Sequence, residues 1–174
     1  AARPARPDGG IAGRCHRDDP VMSGEVVAIY CASSSGAEVV ARSEATLEAG
    51  RGIVGDRYWG QDPDAQITLV DADVIDRINA RTGWSLTPEQ TRRNVVTRGV
   101  DLNRWERSRF RIGDVELEGV ELCEPCAGLG ALLATPDRSA AEVVRALAHR
   151  GGLRARILVG GHVRPGDAVS DLEG

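Results

Sequence analysis

Between Phe110 and Leu122 the chain alternates apolar and charged residues with a period of two, most plainly at Val115-Glu116-Leu117-Glu118. An extended strand places successive side chains on opposite faces, so this run predicts a half-buried sheet and not an amphipathic helix. Gly113-Asp114 reads as a hairpin turn within it and Gly119 as a bulge. Shorter strand-like segments recur at Gly24 to Ala32, Gln66 to Val70, the β-branched run after Asn94, Ala155 to Val159 and Asp167 to Val169. Arg164-Pro165-Gly166-Asp167 forms the last turn. The alternation of Ala37 to Ala49 is too poor to assign a type.

Two segments of helical period interrupt the strands. Asp71 is a good N-cap for the first, Val74, Ile75 and Ile78 form its apolar stripe, and Gly83 supplies the stop. The capping box Ser139-Ala140-Ala141-Glu142 opens the second, which buries Val143, Val144 and Leu147 and is expected to run to Gly151-Gly152. Many short strands with two capped helices predict a mainly β fold. The expected form is a barrel of short, largely antiparallel strands decorated by helices, and not a doubly wound α/β sheet.

A chain of 174 residues suits one domain with a real core. Residues 1–22 are mostly Ala, Arg, Pro, Gly and Asp with few large apolar side chains and read as a disordered tail, with the single domain spanning 23–174. The longest apolar runs fall far below the roughly 18 residues of a membrane span. A net charge of −4 argues against bulk nucleic-acid binding. All 22 basic residues are Arg, so no Schiff-base lysine exists and this chain cannot hold pyridoxal phosphate as an internal aldimine. Four cysteines do not make a disulfide scaffold, and no signal-peptide pattern opens the sequence, which points to the reducing cytoplasm.

The chemistry concentrates in two places. Cys123 and Cys126 lie three positions apart, between the strand ending at Leu122 and an Ala- and Leu-rich segment from Ala127 to Ala134. If that segment is helical, Cys126 stands at its N-terminus, where unpaired N–H groups favour a thiolate. Cys15 and Cys31 are distant, so the spacing offers half of a zinc site. Upstream, Arg92, Arg93 and Arg98 with Asn94 crowd one short strand, a pattern suited to a phosphate or carboxylate. Alternation places Arg93, Val95 and Thr97 on one face and Arg92, Asn94 and Val96 on the other. The loop Gly52 to Gly60 brackets Asp56-Arg57 with glycines; it reads either as backbone approaching a ligand or as a surface turn around Trp59.

Taken in order, Gly55-Asp56-Arg57, Gln66-Ile67-Thr68-Leu69, Arg93 to Leu102, Phe110 to Val115 and Cys123-Glu124-Pro125-Cys126 resemble the MOSC domain. That module occurs at the C-terminus of molybdenum cofactor sulfurases and as stand-alone bacterial proteins. The likeness covers about Gly24 to Val169. It implies a β-barrel, binding of a molybdopterin-type molybdenum cofactor, and a functional cysteine at Cys126 that carries a persulfide or ligates molybdenum. Arg57, Arg93 and Asn94 fall where the family's cofactor-facing motifs lie. Stand-alone members usually carry His after Gly-Asp-Arg; here Tyr58 stands there, with a phenol whose reference pKa is about 10.

Three readings follow. The first is a MOSC-type enzyme or carrier in which arginines hold an anionic cofactor or substrate and Cys126 handles sulfur or binds molybdenum. Its sulfur would come from a separate cysteine desulfurase or a small-molecule donor. The second is a binding module with inert cysteines. The third is a Cys-x-x-Cys dithiol oxidoreductase, although the thioredoxin pattern places such a pair after an early strand of a βαβ unit.

Overall fold

The computed structural model describes residues 23–172. The tail expected over residues 1–22 lies outside them. The strands are β1 (Ser23–Cys31), β2 (Val40–Ala41), β3 (Ala45–Glu48), β4 (Gly52–Ile53), β5 (Ile67–Asp71), β6 (Val95–Arg98), β7 (Arg109–Ile112), β8 (Val115–Leu122), β9 (Leu153–Val159), β10 (Gly161–Val163) and β11 (Ala168–Asp171). The helices are α1 (Ala72–Thr82), α2 (Ala127–Leu133) and α3 (Ala140–Leu147).

Seven strands close a barrel in the order β11-β7-β8-β9-β5-β6-β1, with β1 pairing back onto β11 at Ser23 to Ser170 and Glu25 to Ala168. Closure leaves no open edge among them. The expected hairpin is present: Ile112 faces Val115 across Gly113-Asp114, and the β8–β9 register shifts between Gly119 and Glu121. One pair is parallel, β5 with β6, and α1 serves as part of the crossover that a parallel pair requires. Asp71 caps α1 by accepting from the Asp73 N–H, and Gly83 ends it at φ 74°. The segment from Ala37 to Ala49, undecided by pattern, supplies β2 and β3; β3 joins β4 and β10 in a small separate sheet.

Strand alternation sorts the apolar residues into two cores. Ile67, Leu69, Val95, Phe110, Ile112 and Leu117 belong to one, within the barrel, where the rings of Trp105 and Phe110 stack 4.5 Å apart. Val70 and Val96 belong to the other, with Ile75 and Ile78 of α1, Leu129 and Leu133 of α2, and Val143 and Leu147 of α3. The helices therefore cover the outer face of β5 and β6, and these two strands are buried on both sides.

Two local expectations change. The alternation assigned from Arg92 onward begins only at β6, because Arg92 ends a 3-10 turn (Pro88–Thr91) in the left-handed region at φ 60°. Helix α3 stops at Leu147, short of Gly151-Gly152, because His149 is left-handed at φ 59° and gives its N–H to the Glu124 carboxylate. The two glycines have a different task. A Cβ on Gly151 would lie 2.0 Å from the Cys123 carbonyl oxygen, and one on Gly152 would lie 2.0 Å from that of Leu69. Backbone crossing this closely admits no side chain, and the crossing fixes where the β8–α2 connection lies over the barrel.

Gly151→Ala is accordingly expected to destabilise the fold by about 1–3 kcal/mol, the usual cost of overpacking. Gly36→Ala, with nothing within 4 Å of the added Cβ, is the control and should leave thermal unfolding unchanged.

Candidate functional site

Cys126 is the N-cap of α2. Proline at position 125 and the turn into the helix leave its Sγ on the surface, where it accepts the Leu129 N–H at 3.4 Å. That hydrogen bond is the largest cause holding the thiol below its ordinary pKa; desolvation opposes it, and the N–H groups of Gly128 and of Cys126 itself, with the charge of Arg93, add to the lowering. Cys123 differs in every respect. It is 1% exposed at the end of β8, and burial pushes its thiol up, with Arg93 and Arg154 offsetting part of the effect. Cys31 is likewise buried and raised, by desolvation first and by Asp56 second.

Cys126 opens into a cleft of about 430 Å³ lined by four arginines, Arg57, Arg92, Arg93 and Arg154. Each comes from a different structural cause. Arg57 follows Asp56, whose carboxylate accepts the N–H groups of Ala32 and Tyr58 and so folds the loop back onto the end of β1. The Arg57 side chain is 5% exposed; Nη2 donates to the Arg92 carbonyl at 2.6 Å, while Nη1 is buried without a hydrogen-bond partner. Its separation of 3.6 Å from Asp56 is an ion pair too long for a hydrogen bond. The left-handed Arg92 sends its own Nη2 to the carbonyls of Ser35 and Ala37, which anchors the Ser33 to Ala37 loop beside the cleft. Arg93 donates Nε to the Gly151 carbonyl at 2.9 Å. Arg154 projects outward from β9 and pairs with Glu121 across β8.

Of the residues singled out by sequence, Cys126, Arg57, Arg92 and Arg93 meet in this cleft. Asn94 does not line it. It is 0% exposed, its Oδ1 accepts from the Thr68 N–H and hydroxyl, and its Nδ2 donates to the Tyr30 carbonyl. Its amide therefore joins β1 to β5 beneath the arginines. Tyr58 lies in the cleft wall with the Arg57 guanidinium 4.6 Å from its ring centre. Sequence reading passed over Arg154; extending the β9 alternation back through Leu153-Arg154-Ala155 marks it as outward-facing. Glu124 is also in the wall; its carboxylate accepts the His149 N–H and lies 2.9 Å from the ring Nδ1 of His149. Among the described residues no cluster of three His, Cys, Asp or Glu side chains is arranged to hold a metal ion.

The two thiols should separate chemically. In pH-dependent iodoacetamide labelling read by peptide mass, Cys126 is expected to react first at neutral pH and Cys123 to stay protected until the fold opens. Faster labelling of Cys123 would contradict the assignment.

A family model described as the MOSC domain matches residues 54–170. Among solved structures, the YuaD protein of Bacillus subtilis aligns with TM-score 0.77 and 21% identity over 88% of this chain and 98% of that one. YiiM of Geobacillus stearothermophilus aligns with TM-score 0.65 and 14% identity, covering 86% of this chain and 75% of that one. YiiM of Escherichia coli gives 0.64 and 16%, covering 88% and 71%. These likenesses establish the fold, and no curated protein matches by sequence. Among the described residues no helix is long and apolar enough to cross a membrane. With two thirds of its length under the family model and the barrel in common, the chain belongs to the MOSC domain family.

Proposed function

We propose that the cleft binds an anionic, molybdopterin-type cofactor through its arginines and that Cys126 handles sulfur there, as the atom that carries it or as a ligand to molybdenum. The observation that carries this reading is one exposed, acidified thiol in a cleft lined by four arginines. Arg93 supports the fit, because its guanidinium lines the cleft and its charge helps hold the Cys126 thiol down. When bound, such a cofactor supplies a metal–sulfur centre that accepts sulfur or takes a thiolate ligand, and a soft thiolate suits either role.

The chain's own part in sulfur transfer is nucleophilic. The Cys126 thiolate attacks the outer sulfur of a donor persulfide, R–S–SH. The S–S bond of the donor breaks, R leaves as its thiolate, and Cys126 becomes a persulfide with no net oxidation. Arg93 stabilises the thiolate before attack, and the backbone N–H groups of α2 hold Sγ in place. Without lysine for an aldimine, generation of the donor persulfide belongs to a separate desulfurase or to a small molecule. A dithiol oxidoreductase fits less well, since Cys123 is buried and held as the thiol.

Arg93→Ala is the direct test of the anion-binding half. Its Nε bond to Gly151 is a single part-buried hydrogen bond outside both cores, so the fold should survive, while affinity for inorganic phosphate or molybdate falls by about 1.5–3 kcal/mol, the scale of a charge-assisted hydrogen bond. Unchanged affinity by calorimetry would remove Arg93 from the site.

A further inference from the structure

A smaller hollow of about 240 Å³ adjoins the Cys126 cleft, and Arg92 and Leu132 line both. Its character is opposite to the cleft's. Val39, Leu132 and Leu133 supply an apolar lining, and Glu38 and Glu89 stand beside it. Leu132 is 58% exposed on α2, whereas Leu133 is buried in the outer core and fixes the helix beneath it.

We propose that this hollow docks a protein that donates sulfur to Cys126, gripping an apolar side chain that lies among basic residues close to the donor's persulfidated cysteine. The proposal rests on the reading of Cys126 as a sulfur acceptor and names the kind of partner that serves it.

Charge is the first argument. The cleft's arginines alone favour an anionic donor. The hollow reverses that sign, because among the described residues neither Glu38 nor Glu89 has an ion-pair partner. The one arginine it contains, Arg92, is engaged by the Ser35 and Ala37 carbonyls. An apolar side chain with cationic neighbours matches this field. Preorganisation is the second argument. Glu38 and Val39 are held from both ends, by the Arg92 bond to Ala37 and by β2, where Val40 pairs with Cys31. Glu89 sits in the 3-10 turn closed by the Thr87–Gln90 capping box, and its Oε2 accepts the Tyr30 hydroxyl at 3.2 Å. Size is the third. The volume falls below the roughly 300 Å³ at which small-molecule pockets begin and suits one side chain inserted by a larger partner. Reach completes the case. Leu132 follows Cys126 by six residues along α2, about 9 Å of helix, which about three extended residues of a donor segment would span. With the apolar side chain seated, the donor's outer sulfur passes to the Cys126 thiolate, the donor S–S bond breaks, and the donor cysteine leaves as its thiolate.

The test is the rate at which the Cys126 peptide gains one sulfur atom, read by mass, when the full chain meets glutathione persulfide or one of three synthetic peptides bearing a persulfidated cysteine. The first peptide carries leucine about three residues to either side of that cysteine, with arginines beside each. The second has serine for leucine, and the third has glutamate for arginine. Transfer from the first is expected to be about tenfold or more faster than from the other two, the scale of burying one leucine side chain. Leu132→Asn should erase the advantage over the serine peptide. Glu38→Gln combined with Glu89→Gln keeps an acceptor for Tyr30; it should erase the advantage over the glutamate peptide and leave the glutathione persulfide rate unchanged. Equal rates from the three peptides, a faster glutamate peptide, or an advantage that survives these variants would overturn the proposal. So would sedimentation showing a dimer that Leu132→Asn dissociates, since a second copy would then fill the hollow. Transfer from glutathione persulfide without preference among peptides refutes the docking surface alone, whereas failure of every donor to place sulfur on Cys126 refutes the thiol reading beneath it.

Discussion

The arrangement depends on a buried amide. Asn94 accepts from the Thr68 N–H and hydroxyl on β5 and donates to the Tyr30 carbonyl on β1, at a position with no exposure to water. Its backbone adds bonds in both directions, from the Tyr30 N–H and to the Thr68 carbonyl. A buried amide is tolerable when its donors and acceptors are engaged, and then it is directional in a way that apolar packing is not. Arg92 and Arg93 precede it in the chain, so the same staple that closes this corner of the barrel sets the origin of two of the four cleft arginines. The left-handed backbone of Arg92 is retained there, with Arg57 donating to its carbonyl.

From that corner the rest of the site follows by short links. Arg93 reaches the Gly151 carbonyl, and the Gly151 Cα crosses close to the Cys123 carbonyl. The Cys123 N–H bonds to the Gly152 carbonyl, which holds the start of the β8–α2 connection. Three residues later the chain enters α2 with Cys126 as its cap. Barrel closure, a glycine pair and one asparagine thus position a thiol against guanidinium groups from distant parts of the sequence.

Much of the barrel was legible because period-two patterning is a local signal. Val115 to Glu118, the Gly113-Asp114 turn and the Gly119 bulge lie where alternation and turn chemistry put them. Asp71, Gly83 and Ser139-Glu142 mark helix ends because caps act within a few residues. Legibility failed where long-range contacts decided the outcome. Asn94 stood in an arginine-rich run and read as a ligand contact, but its amide is consumed by strands that only the fold brings beside it. Gly151-Gly152 read as a helix stop, while the close crossing over Cys123 and Leu69 is invisible without the tertiary structure. Cys126 was distinguishable from Cys123 because a helix N-cap is local; the convergence of Arg57, Arg92 and Arg154 on it is not. The family resemblance, carried by the order of several weak motifs, placed Arg57 and Arg93 near Cys126 where single-residue patterns had no means to do so.

The function proposed above places sulfur on one thiol, Cys126. Exposure of the full chain to a small-molecule persulfide donor, followed by peptide mass analysis under non-reducing conditions, tests it most directly. The account predicts a mass increment of one sulfur atom on the Cys126 peptide, removed by reductant and absent from Cys126→Ser, with Cys123 unmodified. Loss of two protons through a Cys123–Cys126 disulfide, or sulfur appearing on Cys123 instead, would contradict it.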